Sequence, residues 1–353
     1  MEGPLTVNLK PESFDIPDFG KIYVSGAVTA IAFADTPLFY GEKGAYADIS
    51  NAQVFVQKVD GTFQFFLDAG TYSFPTVGVP YAESGTTMNN TFGALPIAFL
   101  KYVNGNFSLQ AGKLPTLIGA EYAFTYENMN ISRGLLWNQE PLISRGVQAN
   151  YTAGPVLFNV SWNDGFYSNR FNWITGAATW TINTANTLEF IGGGNLGTTD
   201  YGSSATPIVQ NNDADIFNVI YSYTAGQWTA QAYFQYAETN SGASIGIGKD
   251  TSSTGFGVLA NYAIPNSSWN LSARVEDISS SGTPLDGSAN LLYGPGSTAW
   301  SFTFTPSYQV GVLFGRAEVS FVGASSSTPG LAFGKSGTST SQTRFAVEAG
   351  ILF

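Results

Sequence analysis

From Thr343 to Phe353 apolar and polar positions alternate. Phe345, Val347, Ala349, Ile351 and Phe353 fall on one face, and Arg344, Ala346, Glu348 and Gly350 on the other. A two-residue period predicts a β-strand rather than a helix. With ionised groups on one side and bulky apolar groups on the other, such a strand separates water from hydrocarbon, as the wall strands of an outer-membrane barrel do.

The pattern recurs in segments of about ten residues, the length that crosses a bilayer at a tilt. The segments are 21–34, 46–59, 62–74, 96–103, 106–114, 143–153, 155–163, 171–183, 187–196, 215–224, 227–239, 254–263, 268–279, 299–309, 314–324 and 343–353. They are even in number, as single-chain bacterial barrels require. The expected fold class is all-β: over residues 21–353, a transmembrane antiparallel β-barrel of about 16 strands with short periplasmic turns and long extracellular loops. The junctions agree. Asp60-Gly61, Asn104-Gly105, Ala153-Gly154, Thr184-Ala185-Asn186, Ala225-Gly226 and Pro265-Asn266-Ser267 are tight-turn sequences at every second connection. The intervening connections are longer and rich in Ser, Thr, Gly and Asn, the stretch 115–142 being the longest.

Several strands resolve face by face. Phe302, Phe304 and Tyr308 are expected outward, with Ser301, Thr303, Thr305, Ser307 and Gln309 inward. Trp228, Ala230, Ala232, Phe234 and Tyr236 oppose Thr229, Gln231, Tyr233 and Gln235, and Phe158, Val160 and Trp162 oppose Asn159, Ser161 and Asn163. A soluble barrel buries its apolar face inside; here the polar face is inside, so a water-filled opening is expected. Two strands resist. Segment 21–34 is apolar on both faces after Ser25, and Pro306 removes a ladder donor, which places it near the periplasmic rim or at a bulge. Residues 1–20, with Pro4, Pro11 and Pro17, lack strand alternation and are expected to form a periplasmic arm or a partial plug.

Composition narrows the picture. Charged residues make up 11% of the chain, against about 25% in ordinary soluble domains. Mean hydropathy is only +0.03, and no apolar run is long enough for a transmembrane helix. Aromatics at 15% and 40 glycines suit interfacial girdles and strand bends. There is no cysteine and no histidine, which removes disulfides, Ser-His-Asp and Cys-His catalysis and the usual zinc ligand sets. No basic n-region followed by an apolar h-region opens the sequence, as expected of a mature exported chain.

One stretch carries more than architecture. Gly112-Lys113-Leu114-Pro115-Thr116, Gly119-Ala120-Glu121, Asn130-Ile131-Ser132-Arg133-Gly134-Leu135-Leu136 and Gly146-Val147-Gln148-Ala149-Asn150-Tyr151 resemble a segment of the putative β-barrel porins, a bacterial outer-membrane family. Thr305-Pro306-Ser307-Tyr308-Gln309 and Arg316-Ala317-Glu318-Val319-Ser320-Phe321 are similar to that family's near-terminal hairpin. The resemblance implies a passive channel in the outer membrane, with no catalytic residues to transfer. By analogy with general porins, the loop 115–142 is expected to fold into the barrel. There Glu121, Glu127 and Glu140, with Arg133, would form a constriction, and Tyr122, Phe124, Tyr126 and Trp137 would anchor it. The alternative is a loop over the outer mouth or at a subunit contact.

Parity turns Arg274, Arg316 and Arg344 toward the lumen beside Glu276, Glu318 and Glu348 respectively, and Gln231 and Gln235 are expected on the same wall. These pairs either impose a transverse field on solutes or neutralise one another and stiffen the wall. Arg145 points outward by alternation and is expected above the membrane. The formal net charge of −11 favours small cations over anions. Acids in outer loops, including Glu83, Asp213, Asp215 and Asp250, equally suit divalent bridging to lipopolysaccharide. Asp213 and Asp215 are the only metal candidates, in a spacing of no recognised calcium loop, so neither metal nor cofactor is expected. Gly192 to Gly197 has dinucleotide spacing without a following amphipathic helix. The 14 unclustered basic residues argue against nucleic acid.

The expected function is a non-enzymatic porin passing small hydrophilic solutes or ions, with outer-membrane lipid and lipopolysaccharide as surroundings. A structural or interaction barrel without conductance is the alternative. Smooth outward positions at Gly176 and Ala178, and at Ala230 and Ala232, suggest a homotrimer.

Overall fold

A computed structural model describes the chain except residues 1, 2, 7, 9, 204 and 206–208. The strands in chain order are β1 (Glu12–Ile16), β2 (Gly20–Thr36), β3 (Tyr46–Lys58), β4 (Phe63–Tyr72), β5 (Ile97–Asn104), β6 (Phe107–Pro115), β7 (Ile143–Ala153), β8 (Val156–Asn163) and β9 (Trp173–Asn183). There follow β10 (Asn186–Asn195), β11 (Ala214–Ala225), β12 (Trp228–Thr239), β13 (Thr251–Ala263), β14 (Trp269–Ser280), β15 (Thr298–Val310), β16 (Leu313–Ser325) and β17 (Ser341–Leu352). From β2 to β17 each strand pairs antiparallel with its chain neighbour. The sheet closes where β17 meets β2, with Thr343 opposite Thr36 and Leu352 opposite Ala27. The result is a closed barrel of sixteen strands. Each of the segments read from the sequence coincides with one of them, with ends shifted by three residues or fewer.

The faces follow the alternation. Phe345 and Val347 are outward and more than half exposed, whereas Arg344 and Glu348 are buried inside. Trp180, Trp228, Trp269 and Tyr308 ring the outer wall near the short turns, with Trp228 in tilted ring contact with Tyr262 and Trp269 with Tyr308. Trp162, Trp300 and Phe171 lie near the long loops. Such girdles mark the two membrane interfaces. On β2 the ambiguous register resolves with Ala27, Thr29, Ile31, Phe33 and Asp35 inward. Ile31 and Phe33 pack against Tyr81 and Ile131 of inserted loops, which is why this strand is apolar on its inner face. A smooth outer surface lies where β16, β17, β2 and β3 meet. There Ala30, Ala32, Ala47, Gly315, Ala317 and Ala349 form a groove of about 1000 Å³.

Two expectations need correction, and that for Pro306 resolves between its two alternatives. Residues 12–16 form β1, paired with the foot of β2 from Glu12 opposite Val24 to Ile16 opposite Gly20. Phe14 and Ile16 alternate with Ser13 and Asp15, but Pro11 and Pro17 flank them and hide so short a strand in the sequence. β1 covers the edge of β2 that β17 leaves unpaired below Ala27. The expectation for residues 1, 2, 7 and 9 lies outside the described residues. Pro306 sits in the turn-side half of β15 without a bulge: pairing to β16 has the same register on both sides of it and is interrupted only opposite Glu318 and Ala317. Second, the lumen is not polar throughout. Ile216, Ile278 and Val322 near the long loops, with Ile191 and Leu259 further along the wall, point inward and share one apolar cluster with Ile118, Met129, Leu135 and Leu136. The inserted loop needs an apolar bed, and these residues supply it between the polar ones.

Because Val347 faces hydrocarbon near the middle of β17, Val347→Arg is expected to destabilise the barrel by about 2–4 kcal/mol. Urea unfolding in lipid vesicles measures it, with Ser341→Arg at the rim, expected nearly neutral, as the comparison.

Candidate functional site

The connection 116–142 lies inside the barrel and is bound along β14 to β17. Irregular backbone at membrane depth must find hydrogen-bond partners within the protein, and the inward charges supply them. Glu318 accepts from the amides of Ile131 at 2.6 Å and Ser132 at 3.1 Å. Glu276 accepts from the amides of Leu135 at 2.9 Å and Leu136 at 3.3 Å, and from the Ser301 hydroxyl at 2.6 Å. Arg316 donates to the carbonyls of Asn128 at 3.0 Å and Thr125 at 2.9 Å. Arg274 donates to Glu121 at 2.6 Å and to the Ser132 carbonyl at 2.7 Å.

Local geometry permits this approach. A β-bulge on β3 opposite Ala30 turns both Ser50 and Asn51 inward. Asn51 donates to Thr125 at 2.7 Å, and Ser50 donates to Glu348 at 3.3 Å. Gly134 touches the wall: a Cβ there would lie 2.0 Å from Glu276 Oε1.

The expected arginine pairs are therefore rearranged. Arg274 does meet Glu276, at 3.2 Å, but its shorter bond is to the loop's Glu121. Arg316 pairs with Glu348 rather than Glu318, with Nε at 3.0 Å. Arg344 forms a bidentate pair with Asp35 at 2.7 and 2.8 Å rather than with Glu348, and donates to the carbonyl of Thr76 at 2.8 Å. Cross-strand and loop groups supply the shortest bonds. All six residues are buried under loops, so they do not face open water. Arg133, fully buried, staples its own loop by donating to the carbonyls of Tyr122, Ala123 and Ile131. Gln235 holds the Leu136 carbonyl at 3.0 Å. Arg145, facing outward at the loop end of β7, binds Asp164 at 2.7 Å and stacks on Tyr167.

Three cavities flank the inserted loop. On the long-loop side, about 220 Å³ is lined by Glu140, Trp137, Phe92 and Phe166. On the turn side, about 750 Å³ is lined by Glu121, Glu127, Glu189, Gln231 and the threonines and asparagines of β9 to β12. Beside β3 and β4, about 230 Å³ is lined by Asp68 and Glu127. No Lys or Arg lines any of the three. Glu140 accepts from Tyr233, and Glu127 from the Phe124 amide at 3.2 Å. Residues 3–6 enter from the turn side. Gly3 donates to the Glu127 carbonyl at 3.0 Å, Leu5 is buried among Phe124 and Tyr126, and Thr6 exchanges hydrogen bonds with Gln309.

The sequence model of the putative beta-barrel porin-2, OmpL-like family matches residues 21–353. The chain belongs to this family. It is an outer-membrane porin-family barrel. Solved barrels share its fold at low identity. In-vitro folded OmpT, an outer membrane protein of Vibrio cholerae, has 14% identity and a TM-score of 0.63, over 98% of this chain and 99% of that one. The outer membrane channel DcaP of Acinetobacter baumannii has 12% identity and a TM-score of 0.63, over 96% and 99%. A trimer form of the Vibrio cholerae OmpT has 12% identity and a TM-score of 0.59, over 94% and 99%. No curated protein matches the sequence.

In this porin-family barrel, Asp213 accepts from the Thr199 amide at 2.7 Å and from Asn195 at 3.2 Å, and partial burial raises its pKa. Asp215 is the second residue of β11. Among the described residues no group of three or more His, Cys, Asp or Glu is placed to hold a metal. Asp35, Asp68, Ser50, Asn51 and Thr125 were missed as site residues. Parity turned Asp68 and Asp35 inward and so carried a signal; the bulge that delivers Ser50 and Asn51 left none.

Gly134→Val is expected to lift 116–142 off Glu276. Limited proteolysis of the folded protein should then cut within the loop, while the barrel keeps its shifted mobility in unheated gels; a loop as resistant as the native one would refute the clamp.

Proposed function

We propose that this barrel lets small hydrophilic solutes and ions diffuse passively across the outer membrane, with a preference for cations, and performs no catalysis. One observation carries the reading: every charged side chain lining the three lumen cavities is an acid. Arg274 and Arg316 are engaged by the inserted loop, and Arg344 is held by Asp35 and the Thr76 carbonyl. Carboxylates in a narrow aqueous path raise the local concentration of cations and repel anions. In this reading 116–142 is the constriction, Glu140 stands on its outer side, and Glu121 and Glu127 stand on its periplasmic side. Residues 3–6 form a partial plug below it.

The apolar packing of the long-loop half of the lumen favours a second reading, an interaction barrel that does not conduct. Purified protein in planar bilayers separates the two. Under a KCl gradient the reversal potential should indicate potassium over chloride, and the joint change Glu121→Gln, Glu127→Gln, Glu140→Gln should move the permeability ratio toward unity. A silent bilayer supports the second reading, and an unchanged reversal potential removes these acids from the constriction.

Lipopolysaccharide is the proposed neighbour at the outer rim. Asp286 is held below the usual carboxylate range by the Ser288 hydroxyl, and Asp250 by the Ser241 amide, so both stay ionised for divalent bridging. A homotrimer is the proposed assembly, supported by the trimer form of a barrel of this fold and by the smooth groove at β16, β17, β2 and β3. Gly176 and Ala178 also face outward, but exposed Phe158 and Phe190 flank them on neighbouring strands. Native mass spectrometry in mild detergent should find three copies, and a monomer that persists across concentrations would overturn this.

A further inference from the structure

The cavity of about 230 Å³ beside β3 and β4 has a chemistry of its own. Asp68 has no solvent exposure, and only one of its oxygens is satisfied: Gln53 donates to Oδ2 at 2.7 Å, while Oδ1 receives no hydrogen bond. Gln53 is itself fixed by the Tyr126 hydroxyl at 3.3 Å, so the orientation of the carboxylate is set. Glu127 is a second acid in the lining, which holds no Lys or Arg. A buried carboxylate without a donor is costly, and a cation in the cavity would offset that cost.

Five aromatic residues, Phe55, Phe66, Phe124, Tyr126 and Phe353, share the lining with Asn8, Ser25 and Gln57. Phe55 stacks on Phe66 at 6.1 Å, Phe124 stacks on Tyr126 at 6.0 Å, and Phe55 lies 6.2 Å from Tyr126. Calcium takes six to eight oxygen ligands, commonly from several carboxylates, and among the described residues no three acids are placed to hold one. A weakly hydrated organic cation takes its stabilisation from ring faces and carboxylates together. We infer that this cavity binds small organic cations of the alkylammonium class. Glu127 also lines the larger periplasmic cavity, so a bound cation stands beside the proposed solute path and interrupts potassium flow while it stays. This rests on the cation-preferring channel reading and names the solute class it favours.

The test is single-channel recording of the full-length protein in KCl with tetramethylammonium added at either side. Brief blockades are expected, with a residence time shortened about tenfold or more in Asp68→Asn. Phe55→Leu, which leaves the carboxylates in place, should shorten it too and serves if Asp68→Asn does not fold. A potassium-selective channel without tetramethylammonium blockades, or with blockades unaltered in both variants, overturns this site and leaves the channel reading intact. A channel without potassium preference in KCl alone overturns both.

Discussion

The structure depends on how one irregular loop is held inside a membrane barrel. Backbone amides and carbonyls at that depth have little water to bind, so each needs a partner from the wall. Glu276 and Glu318 receive amides of 116–142, and Arg274 and Arg316 bind its carbonyls. Hydrogen bonds with an ionised partner are stronger than neutral ones. Isolated buried ion pairs repay their desolvation poorly, but here each ion has several partners, and loop and wall are satisfied together.

This clamp divides the lumen by charge. The arginines of β14, β16 and β17 are consumed under inserted loops, whereas the face along β4 and β9 to β12 keeps its acids and short polar side chains. A chain with 14 basic and 25 acidic residues thereby acquires a far more one-sided interior than its composition implies. The same insertion explains the apolar inward residues near the long loops, which bed Leu135, Leu136 and Ile118 instead of facing water. The acid-lined turn-side cavity and the filled upper lumen are thus two results of one packing event.

Strand positions, facing and closure were legible because lipid outside and a mostly polar inside force a two-residue period wherever the wall is regular. Arg274, Glu276, Arg316, Glu318, Arg344 and Glu348 could all be turned inward from parity alone. Their partners could not. Arg316 binds Glu348 across a strand pair and Arg344 binds Asp35 across the closure of the barrel, and those distances exist only once the sheet has closed and the loop has entered. Likewise β1 is an edge filler whose place is defined by where β17 stops pairing, a property of the closed barrel and not of residues 12–16.

The sequence by itself determined a sixteen-stranded wall, its inside and outside, and an excess of acid, because those follow from local alternation and composition. The tertiary structure alone decided which charges remain free in the lumen. That outcome depends on contacts between residues more than a hundred positions apart, such as Glu121 with Arg274 and Ile131 with Glu318, and no local pattern encodes them.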